Sequence, residues 1–185
     1  MEFLNKDRVE FRFSGKGGQG LVLASIIMAE ALVKEGYNVI QGQSHGIEAR
    51  GGASRGEVIA SKGDIYNLSV ILPDIFVTIS QEACNKYYEQ IKEDSLVLVD
   101  SFTVKEIPDF KTDKVYAIPF TKEVKEKLDT ELATNIAFLG TLTNILDFPK
   151  QAMKDSILDH VPEKRKKVNI QAFKLGIELG EEVIK

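Results

Sequence analysis

The sequence contains few of the residues that carry redox or metal chemistry. Its 185 residues include one cysteine, Cys84, and two histidines, His45 and His160. A disulfide within the chain needs two cysteines, and an iron–sulfur cluster takes four protein ligands that are usually cysteines, so this chain alone forms neither. The histidines lie far along the chain from other ligand types and match no zinc pattern. We therefore predict that the chain itself holds no metal.

The sequence also lacks an excess of positive charge and a long apolar run. Its formal net charge is −4, whereas a nucleic-acid-binding protein normally has a basic face. The longest apolar-rich stretch, residues 21–33, contains Ser25 and Glu30 and is too short to span a bilayer. Residues 1–10 carry charges throughout and show no apolar core of a secretory signal. These absences predict a cytoplasmic protein that binds neither nucleic acid nor membrane.

Strand and helix patterns alternate along most of the chain. Apolar–polar alternation and short apolar runs predict strands at residues 9–15, 37–41, 57–61, 65–72, 74–80, 95–100 and 114–120, with the third and fourth paired around a turn at 62–64. Helices are predicted at residues 21–33, 81–92, 121–128, 131–146, 150–160 and 163–184. This order predicts a single α/β domain over residues 1–185, with an open, mostly parallel sheet, flanking helices and a helical C-terminal third.

Four glycines lie within the six residues GKGGQG at positions 15–20, which we call the glycine turn. The stretch satisfies G-x-G-x-x-G through Gly15, Gly17 and Gly20, and it follows a predicted strand and opens a predicted helix. Glycines at such a place permit positive φ and let free N–H groups at the helix start face an anion. The turn therefore suits a phosphate group, or else its glycines let the first helix pack closely on the sheet.

Neither of two common nucleotide sites matches this turn. A dinucleotide site has an acidic residue about twenty positions further on, where this chain has Gln41, Gly42 and Gln43. A P-loop has lysine followed by serine or threonine, where this chain has Leu21 and Val22. The pattern counts against an ATPase, and a free-standing Rossmann-like nucleotide-binding oxidoreductase stays open as an alternative.

A second glycine-rich stretch, GQSHGIEARGGASRG at residues 42–56, is predicted to be a long loop. Loops of this length within a compact domain are commonly functional. The loop should leave the carboxyl end of the second strand, at the same edge of the sheet as the glycine turn, where open α/β sheets bind ligands. Its polar residues are His45, Glu48, Arg50 and Arg55. Arginine there is suited to a phosphate or carboxylate, or to an Arg–Glu pair that braces the loop.

Together, the two glycine-rich stretches resemble the gamma subunit, or the equivalent fused domain, of 2-oxoacid:ferredoxin oxidoreductases. The resemblance rests on GKGGQG at 15–20, SHGIEARGGAS at 44–54 and PD at 73–74, with weaker elements TNIAFLG at 134–140 and NIQAFKLG at 169–176. It spans essentially the whole chain. The second stretch is most similar to the 2-oxoglutarate type, which usually reads tyrosine-glycine-proline-glutamate, and it departs from that pattern at His45 and Ile47. Pyruvate, 2-ketoisovalerate and indolepyruvate members of the family stay open, although Glu48 counts against the last.

The resemblance implies one part of an enzyme that oxidatively decarboxylates a 2-oxoacid to an acyl-CoA and passes electrons to ferredoxin. Thiamine diphosphate and Mg²⁺ are expected on the alpha and beta subunits and iron–sulfur clusters on the beta or a delta subunit, and the isolated chain is expected to be inactive. Residues expected to contact coenzyme A or a partner chain are Gly15, Gly17, Gly18, Gln19, Gly20, Glu48, Arg50, Gly51, Gly52 and Asn135. None of them is expected to perform catalysis.

Overall fold

A computed structural model of the chain describes residues 6–44 and 52–184. The strands are β1 (Arg8–Lys16), β2 (Asn38–Ser44), β3 (Ala53–Ser61), β4 (Ile75–Thr78), β5 (Leu96–Asp100) and β6 (Val115–Ile118). The helices are α1 (Leu21–Lys34), α2 (Gln81–Tyr87), α3 (Phe120–Leu128), α4 (Thr134–Ile145), α5 (Lys150–His160) and α6 (Lys166–Ile184), the last preceded by a 3₁₀ turn at Glu163–Arg165. Across these two ranges, no helix is long and apolar enough to cross a bilayer.

The strands form one six-stranded sheet in the order β2-β3-β1-β4-β5-β6. Strands β1, β4, β5 and β6 are mutually parallel, and β3 runs antiparallel to both of its neighbours, β1 and β2. Strand β2 therefore points the same way as β1. The carboxyl ends of these five strands lie at one edge of the sheet, which we call the carboxyl edge; they are Lys16, Ser44, Thr78, Asp100 and Ile118. The predicted open, mostly parallel α/β sheet with a helical C-terminal third is confirmed.

The two faces of the sheet are covered unequally. Side chains alternate along β1, so Phe11 and Phe13 join the large apolar core that includes residues of α1, α4, α5 and α6. In β4, Phe76 points to the opposite face and joins a smaller core with α2 and residues 104 and 110. The thinner second layer leaves part of this face to be covered by the chain between β3 and β4.

The prediction of a strand at residues 65–72 is wrong, because that segment forms no strand. Strand β3 lies between β1 and β2 and pairs with both along most of its length, so neither of its edges is available for a further strand. Backbone carbonyls of the segment bind side chains instead: Arg12 donates to Val70 O and Arg8 donates to Asn67 O. The predicted turn at 62–64 therefore leads away from the sheet rather than into a hairpin.

The predicted loop at residues 42–56 is also too long, because β2 continues through Ser44 and β3 already begins at Ala53. Pairing of the two strands reaches Ser44 opposite Arg55, which extends both strands toward the carboxyl edge. Helix α2 is shorter than predicted and ends at Tyr87 rather than near residue 92, because the Gln90 N–H turns back to the Tyr87 carbonyl.

Glycines allow the close contact between α4 and α6. A Cβ on Gly176 would lie 1.9 Å from the Ala137 carbonyl oxygen, and one on Gly140 would lie 2.2 Å from the Phe173 carbonyl oxygen. The two weaker motif elements at 134–140 and 169–176 thus meet each other in space. Their glycines are explained by helix packing alone, without a ligand.

Candidate functional site

The glycine turn lies at the carboxyl edge, between the end of β1 and the start of α1. Its chain reversal uses Gly18 at φ 91° and Gly20 at φ 75°, and Gly20 is the N-cap of α1. No side chain of residues 6–44 or 52–184 caps the helix, and the first N–H groups of a helix have no acceptors within it. Such a helix start carries partial positive charge, which favours an anion. The predicted placement of the turn between strand and helix is confirmed.

The glycines of the turn are not equivalent. A Cβ on Gly15 would lie 2.5 Å from Gln19 Oε1, and a Cβ on Gly20 would lie 2.4 Å from Asn135 Nδ2. Gly18 has a positive φ that L side chains rarely adopt. Gly17 differs from all three, because its φ is not positive and no heavy atom among the described residues lies within 4 Å of a Cβ built there. The fold explains Gly15, Gly18 and Gly20 but gives no reason for glycine at position 17.

The side chain of Gln19 fastens the turn to the neighbouring strand. Its Oε1 accepts the Lys16 N–H at 2.6 Å, and its Nε2 donates to the Ile79 carbonyl, just beyond β4, at 3.1 Å. Both ends of the carboxamide are therefore used within the protein. This contact gives Gln19 a structural role, and a direct role in ligand binding stays a prediction.

Asn135 lies in the first turn of α4 and is brought against the glycine turn. Its Nδ2 donates to the Gly20 carbonyl at 3.0 Å, and the residue is only 3% exposed. Its Oδ1 is buried and has no hydrogen-bond partner among the described residues. A buried acceptor without a donor lowers the free energy of unfolding by about 1–3 kcal/mol. Asn135 therefore makes the folded chain less stable than a fully hydrogen-bonded residue would. The prediction that Asn135 and the glycine turn belong to one ligand-binding site is consistent with this geometry.

Two clefts flank the glycine turn along the carboxyl edge. One has a volume of about 190 Å³ and is lined by Gly18, Gln19, Ile79, Thr103, Thr121, Glu131, Leu132 and Thr134. The other has a volume of about 480 Å³ and is lined by Lys16, Gln19, Ile79, Ser80, Gln81, Glu82, Asn85 and Thr103. The residues that line both clefts are Gln19, Ile79 and Thr103, so the clefts adjoin. An extended ligand therefore has room on either side of the turn.

A third cleft of about 210 Å³ lies beside Asn135, between α1, α4 and the start of α6. Its walls are mostly apolar, including Leu23, Leu132 and Val161, with Arg165 and Asn169 among its polar residues. Leu132 also lines the smaller of the two clefts beside the glycine turn. The three clefts thus follow one another along this side of the molecule.

Asp100 is a buried acid at the carboxyl edge that the sequence patterns did not single out. It ends β5, is 0% exposed, and accepts hydrogen bonds from the N–H groups of Phe102 and Thr121 and from the Thr121 hydroxyl. Burial raises the pKa of Asp100 above its ordinary value. Because its acceptors are used by the start of α3, Asp100 holds that helix against β5. The sequence feature that could have indicated Asp100 is an acidic residue at the end of an apolar strand.

Arg12 and Asp74 are charged residues with structural roles. Arg12 is 1% exposed, and its Nε lies 2.7 Å from Glu57 Oε1. Asp74, from the PD motif, accepts from the Glu10 N–H and pairs with Lys92. The Asp74 network lies away from the carboxyl edge, whereas Glu57 also pairs at 3.5 Å with Arg55, which lies opposite Ser44 at the end of β2. The PD motif therefore belongs to the fold rather than to the site.

The single cysteine is unsuited to carrying electrons. Cys84 is 0% exposed in α2, and burial raises the pKa of its thiol to about 11. Within the described ranges, no group of three or more histidine, cysteine, aspartate or glutamate residues is placed to hold a metal ion.

The second glycine-rich stretch reaches the same edge as the glycine turn. Glu48, Arg50 and Gly51, like His45, lie outside the described residues, so their predicted roles stay predictions. Gly52 is described and buried immediately before β3. Because Ala53 pairs with Lys16, the chain enters β3 beside the glycine turn. The predicted convergence of the two stretches at one edge is confirmed for their described parts.

Comparison with known proteins agrees with this geometry. Residues 10–179 match the model of the pyruvate ferredoxin/flavodoxin oxidoreductase family. The chain is 40% identical to the 2-oxoglutarate synthase subunit KorC of Methanocaldococcus jannaschii, over 97% of this chain and 100% of that protein.

Two solved structures share the fold. A gamma subunit of a keto/oxoacid ferredoxin oxidoreductase from Geobacter sulfurreducens superposes with a TM-score of 0.85 at 37% identity, covering 96% of this chain and 98% of that one. The 2-oxoglutarate:ferredoxin oxidoreductase of Magnetococcus marinus, solved with 2-oxoglutarate, coenzyme A and succinyl-CoA, also gives 0.85, at 23% identity. There the match covers 96% of this chain but 32% of that chain, so in that protein the fold is about one third of a longer polypeptide.

Proposed function

Because this chain belongs to the pyruvate ferredoxin/flavodoxin oxidoreductase family, we propose that it is the gamma-type subunit of a cytoplasmic 2-oxoglutarate:ferredoxin oxidoreductase. The complex converts the 2-oxoacid to an acyl-CoA and transfers electrons to ferredoxin. The observation that carries the proposal is the 40% identity to a 2-oxoglutarate synthase subunit over that protein's whole length. A free-standing nucleotide-binding oxidoreductase is disfavoured, because the relatives are named as subunits of larger enzymes.

Within this complex, the carboxyl edge of the chain is proposed to receive coenzyme A. The uncapped start of α1, the positive-φ backbone of Gly18 and the side chain of Lys16 together suit a phosphate group. Among the described residues, no heavy atom lies within 4 Å of a Cβ built on Gly17 or Gly18, which lets a ligand approach the backbone at both glycines. Bound there, coenzyme A supplies the thiol that accepts the acyl group, while the residues of this chain bind and orient it.

The second glycine-rich stretch, which connects β2 to β3, is proposed to complete the coenzyme A site at the carboxyl edge. Glu48, Arg50, Gly51 and Gly52 would orient coenzyme A or the partner chain, and Asn135 would offer from the facing helix its Oδ1, which has no partner in the described part of the chain. Arg50→Ala should impair acyl-CoA formation or assembly and leave the fold intact. Unchanged turnover and an unchanged complex size in that variant would remove Arg50 from the site.

Carbon chemistry and electron transfer are assigned to other chains of the complex. This chain has one cysteine, which is buried with a pKa of about 11, and a cluster is held by several cysteine thiolates. We propose that thiamine diphosphate and Mg²⁺ reside on the alpha and beta subunits and that the iron–sulfur clusters reside on the beta or a delta subunit. The isolated chain should then have no oxidoreductase activity.

The proposal is tested by co-expressing the chain with the subunits encoded beside it and purifying through a tag on this chain. Reduction of ferredoxin is then followed anaerobically with 2-oxoglutarate, pyruvate, 2-ketoisovalerate or indolepyruvate, with and without coenzyme A. The expected result is a complex with coenzyme-A-dependent turnover that is highest with 2-oxoglutarate. Failure to recover any thiamine-diphosphate-binding partner would contradict the proposal, whereas a preference for another 2-oxoacid would correct only the substrate. Micromolar binding of NAD(P) by the isolated chain would favour the nucleotide-binding alternative.

A further inference from the structure

Three threonines line the smaller of the two clefts that flank the glycine turn. They are Thr103, Thr121 and Thr134, which lie just after β5, in the first turn of α3 and at the start of α4. The cleft has a volume of about 190 Å³, whereas an engineered cavity of about 150 Å³ already admits a benzene ring. The cleft therefore has room for one segment of a ligand, and the threonines decide which chemistry that segment can have.

The hydroxyl protons of Thr103 and Thr134 are bound within the protein. Thr103 Oγ1 donates to the Ile79 carbonyl at 3.1 Å, and Thr134 Oγ1 donates to the Glu131 carbonyl at 2.9 Å. A carbonyl oxygen can only accept, and a threonine hydroxyl has one proton and two lone pairs. While these bonds are kept, both hydroxyls can meet a ligand only as acceptors.

Thr121 is held in the same state by the buried Asp100. The Asp100 carboxylate accepts the N–H groups of Phe102 and Thr121 as well as the Thr121 hydroxyl. An ionised carboxylate has no proton to donate, so the Thr121 proton stays on the side of Asp100 and the lone pairs are left for a ligand. Glu131 adds a carboxylate to the lining of the same cleft, and it pairs at 2.7 Å with Lys125.

The clefts on the two sides of the glycine turn differ in charge. Among the described residues, no lysine, arginine or histidine lines the smaller cleft, whereas Lys16 lines the larger one. Gln19 lines both, and its carboxamide is bound to Lys16 and Ile79. A phosphate in the smaller cleft would face lone pairs and the Glu131 carboxylate, and like charges repel. Uncharged N–H and O–H donors suit that cleft instead, with Ile79 and Leu132 available for apolar contact.

Coenzyme A has two parts that match this difference. Its nucleotide part carries the phosphates, and its pantetheine arm is uncharged and carries amide N–H groups, a hydroxyl and the thiol. Resting on the proposed function, we propose that the smaller cleft is the subsite for the pantetheine arm and that Thr103, Thr121 and Thr134 accept hydrogen bonds from it. The phosphates then lie at the start of α1 and beside Lys16. The threonines thereby set the direction in which coenzyme A crosses the glycine turn.

The test compares variants of similar shape on two probes in the assembled complex. Thr103→Val/Thr134→Val replaces two hydroxyls of the cleft by methyl groups. Thr143→Val is the matched control, because it removes a hydroxyl bond of 2.7 Å to a carbonyl of the same helix α4 and lines none of the three clefts. The probes are coenzyme A and adenosine bisphosphate, the nucleotide part without the arm, and the dissociation constant of each is measured by calorimetric titration.

The threonine double variant should bind coenzyme A about tenfold more weakly, as expected for two lost hydrogen bonds to the ligand, and it should bind adenosine bisphosphate like wild type. Gly17→Ala should weaken both probes, because both carry phosphate. Thermal unfolding of the isolated double variant and control should be alike. The inference is overturned if the double variant binds coenzyme A as tightly as Thr143→Val does, or if it weakens both probes equally.

Hydrogen exchange provides a second measurement that needs no variant. Coenzyme A should slow exchange in the peptides that contain Thr103 and Thr134 of the wild-type complex, and adenosine bisphosphate should not. Equal protection by both probes would contradict the subsite. If the wild-type complex binds neither probe, the proposed function fails first, and the subsite fails with it.

Discussion

The glycine turn makes a prediction in which two glycines of the same motif behave differently. Alanine at Gly20 must adopt a φ near 75°, which costs an L residue about 1–2 kcal/mol. Its Cβ would also lie 2.4 Å from Asn135 Nδ2, so the carboxamide moves and its hydrogen bond to the Gly20 carbonyl is lost, for about 0.5–1.5 kcal/mol. Gly20→Ala should therefore lower the free energy of unfolding by roughly 1.5–3.5 kcal/mol.

Alanine at Gly17 meets neither obstacle, because φ is not positive and the described structure leaves 4 Å of open space around the new Cβ. Its free energy of unfolding should lie between no change and a gain of about 1 kcal/mol, as for glycine replaced in a compatible conformation. In the assembled complex, however, the new methyl group stands where a ligand would approach the backbone. Gly17→Ala should weaken coenzyme A binding by about tenfold or more.

Urea unfolding of the isolated chains measures the first effect, and a coenzyme A titration of the complex measures the second. Gly63→Ala is the matched control, because Gly63 has equally open surroundings and no positive φ but lies at the turn after β3. A loss of stability in Gly17→Ala as large as that in Gly20→Ala would refute the account of the turn. Coenzyme A affinity that is equal in Gly17→Ala and Gly63→Ala would refute the proposed ligand contact.

Further predictions concern the buried charges and the cysteine. Arg12→Met should lower the free energy of unfolding by about 1.5–3 kcal/mol because it removes the 2.7 Å charged hydrogen bond to Glu57, which then keeps the longer pair with Arg55 at 3.5 Å, and adding Glu57→Gln should recover part of the loss; an unchanged urea midpoint would contradict this. Cys84 should resist a thiol reagent at pH 8 while folded and react once unfolded, since its pKa is about 11; rapid labelling of the native chain would count against burial. The raised pKa of Asp100 means that the folded chain binds this proton more tightly than the unfolded chain. Wild type should therefore lose stability relative to Asp100→Asn as pH rises from about 4 toward 7, and a pH-independent difference would contradict the shift.

Local patterns were sufficient for the arrangement of strand, glycine turn and helix at residues 8–34. Apolar periodicity predicts both elements, and the glycine motif marks the change between them. The same patterns failed at residues 65–72, because apolar content normally signals burial and this segment is exposed. Whether it pairs as a strand depends on the edges that β3 has free, which is settled by distant parts of the chain.

The site shows the same division between local and distant causes. The motif predicts that glycines are needed, but it does not distinguish Gly17 from Gly20, because their difference lies in φ and in contact with Asn135, 115 positions away. Arg12 occupies a position that alternation predicts to be polar and solvent-facing. It is buried because α2, the turn after α2 and the segment at 65–72 cover that face, through contacts with Tyr87, Gln90 and Val70.

The central claim is that the chain works as an obligatory subunit of a 2-oxoglutarate:ferredoxin oxidoreductase. The most direct measurement is the rate of coenzyme-A-dependent acyl-CoA formation from 2-oxoglutarate by the complex purified with and without this chain, with ferredoxin as acceptor. The account predicts that omission of the chain abolishes acyl-CoA formation and that adding back the purified chain restores it. An equal rate from the complex that lacks the chain would contradict the account.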